Sequence, residues 1–231
     1  MRFILTHIPR TGGTSIFAAV RGCKPDARAV EFESMAEVAL MTDQELNSYN
    51  LISTYVGSKL FDRINGSWIK VLILRDPIAR LRSSYWNLRN CPDYISPASR
   101  FAKQLGFRDY LASRDPAVIM QSTNVQTWTV FGDKSMHYRR MNDKTTQSKI
   151  VNEAVKNFSK YTFVGFTEHL DSLWSKICRA LGNEETPLPT LRANQTFQEM
   201  DEPREEDLIF HTALDCQLVQ RAYSMTVVMP H

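Results

Sequence analysis

The 231-residue sequence is short of the features that would place it in several broad classes. Its four cysteines, Cys23, Cys91, Cys178 and Cys216, are widely scattered, with no CxxC pair and no histidine at metal-ligand spacing. Neither a disulfide framework nor a zinc site is therefore expected. No run approaches the roughly 20 apolar residues needed to cross a bilayer, and the N-terminus has no basic segment leading into an apolar one. The expectation is no membrane span and a cytoplasmic location. A polybasic tail is also missing, and the net charge of +3 suits a small anionic ligand without requiring nucleic acid. Internal repeats and low-complexity segments are absent. Apolar residues make up 43% and charged residues 23%, which is ordinary for a globular chain and excludes the disordered and fibrous classes. The economical expectation is one domain over residues 1–231.

What is present is a series of strand-length apolar runs: RFILTHI (2–8), ARAVEF (27–32), LISTYV (51–56), IKVLILR (69–75) and YTFVGF (161–166). Segments of helical periodicity separate them. Such alternation predicts an α/β fold, a three-layer, P-loop-like arrangement with a central parallel sheet flanked by helices. Thr42 followed by Glu45 carries the capping-box signature of a helix start. Pro77 suits a first helical turn, with Ile78, Leu81, Tyr85 and Leu88 at helical spacing behind it. TEHLDSLWSKICRALG predicts a helix capped by Thr167 and stopped by Gly182. Residues 91–160 form a mainly helical insertion in this reading, and 182–196 a loop by composition.

Two stretches carry chemistry. THIPRTGGTSIF (6–17) follows the first strand and opens a helix, so Thr11, Gly12, Gly13, Thr14 and Ser15 would aim amides and hydroxyls at an anion near a helix N-terminus. It does not fit GxxxxGK[ST], the triphosphate loop. LILRDPIARLRSSYW (72–86) delivers Arg75 to the carboxyl end of a buried strand and Ser83 to the helix behind it, where ligands of open α/β sheets sit. The competing accounts are a plain turn for the first stretch, and a salt bridge and a surface hydroxyl for the second.

HIPRTGGTS followed by LRDPIARLRSSY resembles the paired signatures of sulfotransferases that use 3′-phosphoadenosine 5′-phosphosulfate (PAPS). The resemblance is to the carbohydrate-type family that contains heparan sulfate 2-O-sulfotransferases and bacterial relatives, and NVQTW, FVGFTEHLDSLWSKI, LRANQT and DCQLVQRA extend it. It implies PAPS as co-substrate, with no metal, and a saccharide or small-molecule hydroxyl as acceptor. By resemblance Arg10, Thr11, Gly12, Gly13, Thr14 and Ser15 hold the 5′-phosphosulfate, Arg75 and Ser83 hold the 3′-phosphate, and Arg192 of LRANQT lies near that phosphate.

The sequence departs from the family twice. Arg10 stands where most relatives carry lysine; it keeps the cation but stays protonated. Tyr55 stands where the 2-O-sulfotransferase branch has its histidine base. Glu33, near the carboxyl end of the second strand, is the candidate base, and a solvated acidic edge is the alternative. His7 is expected to orient the loop, completing a catalytic set of Arg10, Glu33, Tyr55 and His7. Asn124 and Gln126 either shape an acceptor pocket or tie helices together. A non-catalytic nucleotide-binding protein and a P-loop-type kinase remain open alternatives.

Overall fold

The computed structural model describes residues 1–91, 96–132, 144–189 and 200–228. Along the chain the first elements are β1 (Arg2–Thr6), α1 (Gly13–Cys23), β2 (Ala29–Phe32), α2 (Met35–Ala39), α3 (Asp43–Asn47), β3 (Leu51–Thr54) and β4 (Trp68–Leu74). There follow α4 (Pro77–Asn90), α5 (Pro97–Gln104), α6 (Phe107–Ala112), α7 (Pro116–Ser122), α8 (Val125–Phe131), α9 (Lys144–Asn157), β5 (Phe163–Phe166), α10 (Leu170–Leu181) and α11 (Glu205–Val228). Short 3₁₀ turns occupy Gly57–Arg63, Phe158–Lys160 and Thr167–His169. The chain divides into two compact units, one of Met1–Arg75, Thr129–Gly132 and Lys156–Ala193, the other of Asp76–Trp128, Asp133–Val155 and Asn194–His231.

The first unit holds the sheet. Its order is β2-β3-β1-β4-β5 and every pairing is parallel. All five strands coincide with the apolar runs read from the sequence. β1, β3 and β4 are buried along nearly their whole length, as strands covered on both faces must be. On one face Phe3, Leu5, Leu51, Val71 and Ile73 pack with Ile16, Phe17 and Val20 of α1 and Leu173, Trp174 and Ile177 of α10. On the other, the Thr6 hydroxyl meets the Tyr161 phenol at 3.0 Å, and the Tyr161 ring packs edge-on to Phe61. The Thr42–Glu45 capping box forms as the sequence predicts, with both reciprocal bonds present.

One helix start differs from the expectation. Gly182 ends α10 in the left-handed conformation (φ 70), but Thr167 does not cap it; His169 occupies the N-cap. The Thr167 hydroxyl instead donates to backbone carbonyls of two other segments, a tertiary demand that overrides the local capping signal.

The second unit is helical among its described residues. α4 has Pro77 in its first turn and Asp76 as its N-cap. Leu81, Tyr85 and Leu88 of this helix pack with Ala98, Ala102, Phe107 and Tyr110. Asn124, at a left-handed φ of 48, is stitched into the backbone of α11. Its amide N–H donates to His211 O (2.7 Å) and its side-chain oxygen accepts from the amides of Leu214 (2.9 Å) and Asp215 (3.2 Å). Asp215 in turn accepts from the amides of Gln126 and Thr127 at the start of α8. Of the two expectations for Asn124, tying helices together is the one its bonds describe.

Candidate functional site

The first loop begins as a polar continuation of the core. Phe3 and Leu5 face α1, and two residues further along the same face comes His7, which is 8% exposed. On β3 the matching series is Leu51, Ser53 and Tyr55, because Phe3 pairs with Leu51 and Leu5 with Ser53. The Ser53 hydroxyl lies 3.4 Å from His7 Nδ1, and the Tyr55 ring stacks on the imidazole with centroids 4.7 Å apart. Against the same imidazole sits Gly13, where a Cβ would come within 3.0 Å of the His7 ring. A larger residue at position 13 would push the His7 ring away by a few tenths of an ångström. His7, Ser53 and Tyr55 thus form a stacked support beneath the loop.

The loop itself alternates in backbone sign, with Arg10 at φ 72 and Gly12 at φ 88 on either side of Thr11. Alternating hands turn successive amides toward one concavity, the geometry of an anion nest. The carbonyls around it are taken up. Ile8 O accepts the Thr11 hydroxyl (2.9 Å), Arg10 O accepts Arg75 Nη1 (3.0 Å), and Thr11 O accepts the Thr167 hydroxyl (2.8 Å). Gly12 O accepts from the amides of Ser15 and Ile16. Because a trans peptide holds its N–H opposite its C=O, anchoring the carbonyls of residues 10, 11 and 12 directs the amides of Thr11, Gly12 and Gly13 the other way.

α1 also begins without a cap. Gly12 supplies no side-chain acceptor and the first turn holds no acidic residue, whereas Ser34, Thr42, Asp76 and Asp115 cap α2, α3, α4 and α7. The positive end of its dipole is therefore not neutralised by its own side chains. Thr14 is exposed and Ser15 half-buried, both in this first turn. The Thr11 hydroxyl is engaged by Ile8, which leaves Thr11 only its amide to offer an anion.

Arg75 follows β4 directly, and its bond to Arg10 O makes it a brace of the loop as well as a cation beside it. Ser83 is buried in α4 of the second unit, 3% exposed. Glu33 follows the edge strand β2, two strands from β1 in the sheet order. It is exposed, and no bond holds its carboxylate among the described residues. Its backbone amide donates to Glu37 Oε2 at the start of α2. Arg192 lies outside the described residues. The structure thus brings His7, Tyr55, the loop from Arg10 to Ser15 and Arg75 together at the carboxyl ends of the central strands, while Glu33 stands at the sheet's edge.

Three residues that matter here escaped the sequence. Ser53 is a hydroxyl inside an apolar strand, and that oddity was its one available signal. Thr167 presented a capping pattern that masked its position at the carboxyl end of β5. Leu170 closes over Gly12, where a Cβ would stand 2.5 Å from its Cδ1. Titration adds one constraint: burial pushes the Tyr161 phenol far above its ordinary value, so it stays protonated beside Thr6.

Among the described residues no group of three or more His, Cys, Asp or Glu is placed to hold a metal ion, and no helix is long and apolar enough to cross a membrane. No curated protein matches the chain. The model of one family does, over residues 2–225, and so includes both the first loop and the segment carrying Arg75 and Ser83. On that match the chain belongs to the sulfotransferase family.

Proposed function

We propose that this sulfotransferase takes its sulfuryl group from PAPS and delivers it to a hydroxyl of a saccharide or other small molecule in the cytoplasm. The observation that carries the reading is the loop at residues 10–13, whose carbonyls are anchored outward and whose amides lead into an uncapped helix. That is a receptor for a compact, multiply charged anion. The motif LRDPIARLRSSY supports Arg75 and Ser83 as ligands of the 3′-phosphate, and LRANQT supports Arg192 near it. All of residues 1–231 are read as one sulfotransferase domain, because a single family match runs through segments of both units.

In this mechanism the loop amides and Arg10 hold the sulfuryl and 5′-phosphate oxygens in line with the acceptor. The bond between sulfur and the bridging oxygen breaks as the bond to the acceptor oxygen forms. Negative charge builds on the bridging oxygen, where Arg10 stabilises it without giving up a proton. Glu33, at the end of the outermost strand, is assigned the acceptor proton on the strength of the family resemblance alone. His7 and Tyr55 keep the loop in place from below. The products are a sulfate ester and adenosine 3′,5′-bisphosphate, and no metal takes part in the scheme.

The test is calorimetric titration with adenosine 3′,5′-bisphosphate and with ATP, each with and without magnesium, followed by assay of transfer from radiolabelled PAPS. Preference for the bisphosphate independent of magnesium is the expected result. Preference for ATP with magnesium would replace this reading with a kinase, and tight bisphosphate binding without transfer to any hydroxyl acceptor with a non-catalytic binder.

A further inference from the structure

We propose that Thr167 is a positioning residue for the anion loop, holding the peptide between Thr11 and Gly12 in its binding orientation. The inference rests on the reading of that loop as an anion receptor. Thr167 follows β5, far from the loop in sequence, yet its hydroxyl reaches Thr11 O at 2.8 Å and Leu74 O at 3.2 Å. A hydroxyl has one proton, so the shorter bond to Thr11 O is its principal donation, with Leu74 O as a weaker second acceptor. Thr11 O has no other donor among the described residues, since the amides of Ser15 and Ile16 both go to Gly12 O. Without the hydroxyl the peptide is free to rotate, turning the Thr11 carbonyl toward the anion and the Gly12 amide away from it. One flipped peptide replaces an attractive dipole with a repulsive one at the site.

The placement links three strand ends. Thr11 belongs to the loop after β1, Leu74 ends β4 one residue before Arg75, and Thr167 follows β5. Arg75 braces the adjoining peptide through Arg10 O. Successive peptides of the loop are thus fixed from β4 and from β5, and each brace comes from a residue just beyond a strand's carboxyl end.

The experiment compares Thr167→Val, which keeps the shape and removes the hydroxyl, with Thr167→Ser, which keeps the hydroxyl. Binding of inorganic pyrophosphate, a stand-in for the phosphosulfate, and of adenosine 3′,5′-bisphosphate is measured by calorimetry, with thermal melting as a control for folding. Thr167→Val is expected to weaken pyrophosphate binding about tenfold, the scale of one lost hydrogen bond, with Thr167→Ser close to the parent. In steady-state transfer the valine variant is expected to raise KM for the donor and leave KM for the acceptor unchanged. Equal pyrophosphate affinity in parent and Thr167→Val would overturn the inference, as would a serine variant as weak as the valine one, or a parent protein that binds no pyrophosphate. A parent that binds pyrophosphate but not the bisphosphate would defeat the PAPS reading alone, and the Thr167 comparison would still be decided by its own affinities.

Discussion

Arg10 combines two properties that usually exclude each other: a long charged side chain and a left-handed backbone, φ 72, that L-residues seldom adopt. Holding a non-glycine residue there costs on the order of 1–2 kcal/mol. Arg10→Gly removes the cation and the strain together. Its melting temperature is expected to be no lower than the parent's, while sulfuryl transfer falls about 100-fold through loss of charge stabilisation. Transfer at the parental rate would exclude Arg10 from the chemistry. Arg10→Lys, which restores the family's commoner residue, is expected to retain transfer. Two residues on, Gly12 sits at φ 88 with Leu170 against its missing side chain. Gly12→Ala is predicted to lower stability by about 1 kcal/mol and to weaken bisphosphate binding at least tenfold, read by urea unfolding and calorimetry.

Among the elements, what was legible in the sequence and what was not divide along the range of the interactions. The strands were legible because burial on both faces writes an unbroken apolar run, and RFILTHI through YTFVGF mark the five strands observed. The first loop was legible as a strand-to-helix turn from its glycines, while the sequence left an anion site and a plain turn both open. Thr167 was misread because a cap is a local pattern and its actual partners, Thr11 and Leu74, are set by tertiary approach. Glu33 was placed correctly after β2, but the sequence could not tell that β2 would be the outermost strand. Asn124 belongs to the same class, since nothing local announces that an amide enters a distant helix. Asn124→Ala removes the acceptor for the Leu214 and Asp215 amides inside α11. The expected loss is about 2–4 kcal/mol, measured by urea unfolding, and a loss under 0.5 kcal/mol would show that the helix closes its own ladder.

Across the whole molecule, acid sensitivity has an identifiable source in His211. It is fully buried, with Nδ1 beside the hydroxyls of Ser122 (3.0 Å) and Thr123 (2.7 Å) and Nε2 beside Leu111 O (2.9 Å). Burial lowers its pKa from 6.5 to about 4; the bond to Leu111 O opposes that shift, Arg114 adds to it, and Asp207 and Arg80 contribute less in opposite directions. Between those values the unfolded chain binds the proton and the folded chain does not, so stability is fully present above pH 6.5 and declines as pH falls toward 4. The loss approaches about 3 kcal/mol. Urea midpoints between pH 7 and 4.5 are expected to fall accordingly, and His211→Asn is expected to begin less stable but to lose less over the same window. A parent and variant with parallel pH profiles would remove His211 from the account.

The anchored carbonyls of the first loop have a consequence for turnover. In the proposed mechanism, amides held in place by Arg75 and Thr167 would not reset once the sulfuryl group has left. With PAPS as the proposed donor, the spent nucleotide would still present a 5′-phosphate to the same amides, so departure of the by-product, and not bond exchange, is expected to limit the steady state. A burst of ester in the first cycle, followed by a slower linear phase that quickens when a 3′-nucleotidase consumes the bisphosphate, is the kinetic form that this rigidity would take.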